Sequence, residues 1–490
     1  MKSNSLNKQN GPTINKFSIY FTNFVVYSLF ILFLIVFFTA FSSVYINFKN
    51  INYVNITLIG IYLILTGGFI YGIRKKISKK KMFYAILISG FILRLAWALV
   101  TKSTPISDFK TIYDSATNLL AGDNSSFVGL GYFARFPHMT PYVLLFSLII
   151  KFFGSNALFV MKMINVIFST GAIILVYLIC NKIFKDYKKV LLGTFFISIL
   201  PSAILYVPVY CSENIAIPFY LASIYLFILV VEKKNNCLLL ALSGILLCIG
   251  HLFRMVAYII LIAYVMYIFI YNKEKIKIKL RNILLILIPF ILLFVVFSNS
   301  LIKMNITDRN IWNGSEPNIT SAVRGSNLES GGSWNPDDAK FIEDLLHTTD
   351  KESVAEACKE RIIERYTTTP PLELGKFFVR KIATQWAFGD NAGAYWSQLG
   401  IDENNVIFDI SGKGFLWYQL VYSILLLFIM KGLFNKTEHI DNKIINLFYI
   451  ILCGFGAMLL ILENQCRYAF IINYIFAILP VTAFKSSNEK

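Results

Sequence analysis

The chain has 490 residues, 56% of them hydrophobic and 15% charged, with a mean hydropathy of +0.62. A soluble chain is nearer 45–50% apolar and about a quarter charged, so a disordered chain and an ordinary water-soluble enzyme are both excluded. The net charge is +18, from 46 Lys+Arg against 28 Asp+Glu; on a soluble protein this would point to nucleic acid, but on a membrane protein it reports topology.

A spanning helix needs about 20 mostly apolar residues. Twelve stretches are predicted to form one: 18–41, 54–73, 82–100, 157–181, 190–209, 214–231, 237–250, 255–271, 282–300, 414–431, 444–462 and 468–484. The polar lead before the first has no small-residue cleavage site after it, so it does not read as a cleavable signal peptide. Cys180, Cys237, Cys248 and Cys453 sit inside apolar runs, and no C-x-x-C pair or Cys/His cluster occurs. Arg94 and Lys162 fall inside spans, near their ends, and read as snorkelling side chains. No Asp or Glu lies inside a span, which counts against an ion-coupled transporter.

The segment 138–153 is apolar but only 16 residues long, and the positive-inside rule decides its placement. The loops RKKISKKK (74–81) and NKIFKDYKK (181–189) are both strongly basic and belong in the cytoplasm. This requires an even number of crossings between them, so 138–153 is predicted to lie in the interface. Both termini then fall inside. The inner loops hold 25 Lys+Arg against 6 Asp+Glu, and the outer segments 19 against 22. The outer side receives 101–156, three short connections and the long segment 301–413. The organisation expected is two extra helices with their basic loop (1–81), a membrane core (82–300), an extracytoplasmic domain (301–413) and C-terminal helices (414–490). In the long segment, a helix is predicted over 337–366, with Asp337 and Asp338 in its first turn. A second begins at Pro370-Pro371, with Phe377, Phe378, Ile382 and Trp386 at helical spacing. It reads as a packed helix of a small domain or as an interfacial helix on the headgroups.

The ionisable residues collect at one depth. Asp108, Asp114, Arg135 and His138 lie in the first long outer loop. Glu213 lies in VPVYCSENIAIP, His251 and Arg254 in CIGHLFRM, and Glu463, Arg467 and Tyr468 in ENQCRY. Two separate acids can supply a general base and a partner that positions an acceptor or a metal. Arginines at headgroup depth suit a phosphate. The constellation reads as group transfer from a lipid phosphate, at one site on the outer face.

At these residues the chain resembles the GT-C superfamily of membrane glycosyltransferases, in pattern the bacterial members of family 39, relatives of protein O-mannosyltransferases and of the lipid A aminoarabinose transferase. Four stretches carry the resemblance: RLAWALVTKSTPISDFKTIYDSATNLLAGD (94–123), YFARFPHMTPYVLLFSLIIKFFG (132–154), LPSAILYVPVYCSENIAIPFYLASIYLF (200–227) and ENQCRYAFIINYIFAILP (463–480). The likeness covers roughly 82–300 and 414–484. It departs from the family at Pro137-His138, where Pro-Pro is common. It implies an all-α GT-C helical bundle of the plasma membrane, with outer juxtamembrane helices and a small outer α-rich domain. It implies inverting transfer of a sugar from a polyprenyl-phosphate donor to a hydroxyl of an envelope glycan, lipid or protein. Asp108 corresponds to the base and Glu213 to the acid of the second outer loop. Arg254 and Arg467 would bind donor phosphate. Tyr113, Asp114, Arg135, His138, His251, Glu463 and Tyr468 are candidate lining residues. The resemblance fixes no cofactor; a divalent cation stays open, since some relatives use one and others do not. Membrane lipids are expected partners and nucleic acid is not. The competing readings are a glycan polymerase or ligase with a pyrophosphate-linked donor, and a transporter or flippase.

Overall fold

The computed structural model describes residues 16–232 and 236–485, and every regular element among them is helical. Among the described residues, eight helices are long and apolar enough to cross a membrane: Lys16–Asn50, Tyr53–Arg74, Lys79–Val100, Pro137–Ile183, Glu213–Val231, Ile276–Lys303, Phe415–Leu433 and Ile444–Ile461. A ninth exists if the pair Cys466–Ile472 and Ile475–Ala483, bent by 64°, counts as one span. The three other predicted spans are helical but short or broken. Leu239–Phe253 and Ala257–Ile270 have 15 and 14 residues. At 1.5 Å per residue they reach about 21–23 Å, against a hydrocarbon core of about 30 Å. The stretch 190–209 breaks into Tyr187–Ile199 and Pro201–Leu205. The cause is Pro201, which forces Leu200 into an extended conformation (φ −62°, ψ 120°).

That break explains Arg94, which does not snorkel. It is fully buried. A helix that continued would pair the Ile197 carbonyl with the N–H of residue 201, and proline has none. Arg94 Nη2 donates to Ile197 O at 2.9 Å and Nη1 to Ser198 O at 2.8 Å, while Nε donates to Ser169 Oγ at 2.8 Å and Nη1 also to Gly90 O at 3.0 Å. Gly90 permits this approach, since a Cβ there would lie 2.7 Å from Ile173 Cδ1. Lys162 is likewise buried, with Nζ donating to Thr101 O at 2.8 Å.

The segment 138–153 forms the helix Thr140–Phe153, joined to Ala157–Ile183 by a 3₁₀ turn whose Gly154 has φ +52°. It packs on the helix Asp108–Leu120, with Phe146 edge-on to Tyr113 and the Ser147 hydroxyl donating to Ala116 O at 3.0 Å. The first helix buries Val25, Leu29, Phe33, Val36 and Ala40 along one stripe. The Asn52 side chain caps Tyr53–Arg74, accepting from Val54 N and Asn55 N, and its amide donates to Lys413 O at 3.0 Å.

The predicted helix 337–366 is two helices, Pro336–Thr348 and Lys351–Thr368, each capped by the preceding side chain: Asn335 accepts from Asp338 N and Asp350 from Ser353 N. Their core is Val323, Ile342, Leu346, Val354 and Cys358. The helix after Pro370 runs Pro371–Trp386. It buries Phe377, Lys381 and Trp386, and Lys381 Nζ donates to Gly325 O (2.6 Å) and Leu460 O (2.8 Å). That side is packed against the bundle, while Leu372 and Val379 remain exposed.

Candidate functional site

Asp108 opens the helix Asp108–Leu120. The residue before it, Ser107, has φ +50° and ψ −133°, in the region that favours glycine. Asp108 Oδ2 accepts from Arg467 Nη2 at 3.0 Å, and Oδ1 accepts from the Tyr132 hydroxyl at 3.1 Å. A third of the Asp108 side chain stays exposed, so the carboxylate keeps an open face. Burial, then the Asp108 carboxylate, push the Tyr132 hydroxyl well above its ordinary pKa, which keeps it a proton donor to Asp108.

Glu213 opens the helix Glu213–Val231 and is buried. It pairs with Arg254, Oε1 to Nε 3.4 Å. Arg254 follows the helix Leu239–Phe253, and its carbonyl accepts from the Tyr220 hydroxyl. The two acid–arginine pairs are joined by Tyr468. Its ring centroid lies 5.2 Å from the Arg254 guanidinium and 5.4 Å from that of Arg467. Arg467 also lies over Trp396 (5.0 Å) and Phe109 (5.9 Å), and such faces hold a cation by their quadrupole. The bend at the last span places Arg467 on the 3₁₀ turn Cys466–Ile472, not on a continuous helix.

The structure therefore brings Asp108, Arg467, Tyr468, Glu213 and Arg254 together. Glu463 joins them through its Oε1, which accepts from the Tyr468 hydroxyl at 3.1 Å. His138 is half-buried beside Phe136, and within electrostatic reach of Arg254. His251 is fully buried; its Nδ1 accepts from Ala257 N at 3.1 Å, and rings of Tyr258, Phe290 and Phe294 surround it. This histidine caps the start of Ala257–Ile270 through Nδ1, and its buried Nε2 has no hydrogen-bond partner among the described residues. Tyr113 packs on Phe146 instead of lining the cluster, and Asp114 is exposed with no ion pair among the described residues. Arg135 faces away from Asp108, to Glu316 (2.8 Å) and Glu343 (2.5 Å). Burial works against its charge, but these carboxylates more than offset that and raise its pKa above the usual arginine value.

Asp108 and Glu213 offer two carboxylates to a divalent cation, but each already faces an arginine. No group of three or more His, Cys, Asp or Glu that could hold a metal ion occurs among the described residues. The donor set does not fit a bound cation.

Sequence reasoning missed Tyr132, Trp396, Glu316 and Arg324. Tyr132 stood within a recognised stretch, three residues before Arg135, and a phenol near the proposed base was the available signal. The other three come from 301–413, where no spacing ties them to the membrane core.

Residues 136–302 match the dolichyl-phosphate-mannose-protein mannosyltransferase family. The match covers about a third of the chain. It is narrower than the resemblance expected from the four stretches. It contains His138, Glu213, His251 and Arg254 and leaves Asp108, Glu463 and Arg467 outside. No curated protein matches the chain. Among solved structures, the archaeal oligosaccharyltransferase AglB from Archaeoglobus fulgidus, in complex with an inhibitory peptide and a dolichol-phosphate, is similar over 84% of this chain and 50% of its own, at 15% identity and a TM-score of 0.47. Its apo form is similar over 84% and 51%, at 14% identity and a TM-score of 0.47. The chain spans about half the length of these structures.

Proposed function

We propose that the chain transfers a sugar from a polyprenyl-phosphate donor to an acceptor hydroxyl, with inversion, on the extracytoplasmic face of the plasma membrane. The observation that carries this reading is the pair of acid–arginine contacts joined across the Tyr468 ring. Asp108, held by Tyr132 and Arg467 with one face open, takes the proton of the acceptor hydroxyl. The acceptor oxygen bonds to the anomeric carbon, and the bond from that carbon to the phosphate oxygen breaks. The leaving polyprenyl phosphate stays against Arg467 and Arg254, whose forked N–H donors match phosphate oxygens. Glu213 holds Arg254 and positions the acceptor. The sorting of charge supports the face: the loops on the other side carry 25 Lys+Arg against 6 Asp+Glu. The acceptor is an envelope glycan, a lipid or a protein.

The test is incubation of the purified protein, in nanodiscs, with a labelled polyprenyl-phosphate sugar and an envelope extract as acceptor. Release of free polyprenyl phosphate together with labelled acceptor is expected. Release of a pyrophosphate lipid from a pyrophosphate-linked glycan would instead identify a polymerase or ligase. Movement of intact donor across the bilayer without cleavage would identify a flippase.

A further inference from the structure

We propose that Glu316 is a positioning residue that fixes the spacing between Asp108 and Arg467; this rests on the function proposed above. Glu316 is buried at 2% exposure and belongs to the segment 301–413, outside the acid–arginine cluster. It pairs with two arginines. Its Oε2 accepts from Arg135 Nη2 and Nε at 2.8 and 3.0 Å, and its Oε1 accepts from Arg324 Nη2 at 3.0 Å and from the Thr320 hydroxyl at 2.6 Å. Arg324 Nη1 lies 3.9 Å from Glu463 Oε2. Glu463 in turn receives the Tyr468 hydroxyl, and Tyr468 adjoins Arg467.

These contacts close on themselves. From Asp108 they pass to Tyr132, along one helical turn to Arg135, through Glu316, Arg324, Glu463 and Tyr468 to Arg467, and back to Asp108. Two glycines show how tightly the segment is seated around Glu316 and Arg324. A Cβ on Gly314 would lie 2.2 Å from Arg135 O, and one on Gly325 2.4 Å from Ile461 O. Backbone therefore rests on backbone at both ends of the bridge, and Ser315 N donates to Ala134 O at 2.8 Å. One carboxylate bridges two guanidiniums that lead to opposite halves of the site, and each guanidinium has a further acid, Glu343 at 2.5 Å from Arg135 and Glu463 at 3.9 Å from Arg324. Without its charge, neither Glu343 nor Glu463 links the two guanidiniums, and the loop that carries Tyr132 and the turn that carries Arg467 lose their common reference.

The test compares Glu316→Gln with Asp308→Asn. Asp308 ties the same segment to the first loop through Gly129 N at 2.9 Å but stands outside the circuit. Glu316→Gln is expected to raise the donor KM about ten- to a hundredfold, the loss expected for a charge-assisted contact, with Asp308→Asn unchanged in KM and kcat. Glu463→Gln, on the same circuit, is expected to reproduce the KM effect and serves if Glu316→Gln does not fold. Independently of activity, the melting shifts of Glu316→Gln and Tyr468→Phe should fail to add in the double variant, although the two residues do not touch. Wild-type kinetics in folded Glu316→Gln, or equal losses in Asp308→Asn, would overturn the proposal, as would additive melting shifts. If the wild-type protein releases no polyprenyl phosphate, the functional reading fails, and the circuit stands or falls on the melting cycle alone.

Discussion

Arg94 and Arg467 are both arginines in apolar helical segments, and they do opposite work. Arg94 spends four hydrogen bonds on fixed partners, two of them carbonyls stranded by Pro201. Its guanidinium completes a helix end and has almost no capacity left for a ligand. Arg467 gives one N–H to an exposed carboxylate and lies over aromatic faces. Carboxylate and rings hold the charge in place without consuming the donors that a phosphate would need. A buried arginine is thus a structural or a functional element according to what it bonds, not how deep it sits.

Substitutions should separate the two regions. The largest effect is expected from Asp108→Asn. Removal of a general base costs on the order of 10²–10⁴ in rate, so transfer should nearly vanish while the protein remains folded in detergent. Retained transfer would remove Asp108 from the mechanism. Arg94→Met should do the reverse. It leaves the carbonyls of Ile197 and Ser198 bare, at about 1–3 kcal/mol each, so stability should fall by about 2–6 kcal/mol in a melting assay. The donor KM of the protein that folds should not change.

Arg467→Lys keeps the charge and loses the planar fork. A donor KM raised by roughly tenfold is expected; the same change with Arg254→Lys alone and none with Arg467→Lys would move the phosphate to the other pair. The smallest effect concerns pH. Asp390 is buried, and burial raises its carboxyl to about 6 although it accepts from Ala392 N and Ala394 N. Its folded pKa is above the ordinary value, so it contributes stability that is present below about pH 4 and is lost as pH rises through about 6. Asp390 holds the start of the helix Gly393–Gln398 through the Ala392 and Ala394 amides, and that helix sets Trp396 against Arg467. Melting temperature should fall between about pH 4 and 6 in the wild type, and that slope should flatten in Asp390→Asn.

Much of this was legible in the sequence. Asp108, Glu213, Arg254, Arg467 and Tyr468 stand at the ends of apolar runs, and depth in a membrane is written directly into hydropathy. The pairing was not, because Asp108 and Arg467 are 359 residues apart and no period links them. Arg94 was misread for the same reason: what makes it structural is a proline more than a hundred residues further on. The length of 239–253 and 257–270 was legible, but a dozen apolar residues read alike whether they cross a bilayer or lean within a bundle. Glu316 could not have been found, since a buried acid in a polar segment looks like its solvated neighbours until the fold closes over it.

Ser107 carries a last consequence. A non-glycine residue held at φ +50° costs on the order of 1–3 kcal/mol, and it directly precedes Asp108. The backbone amides of Phe109 and Lys110 anchor this turn on the Ile106 carbonyl, at 3.0 and 3.3 Å. The carboxylate is thus mounted on a loaded spring and not on a slack tether. Accuracy of aim at the reacting atom and ease of folding pull in opposite directions at one residue, and this chain has settled on aim.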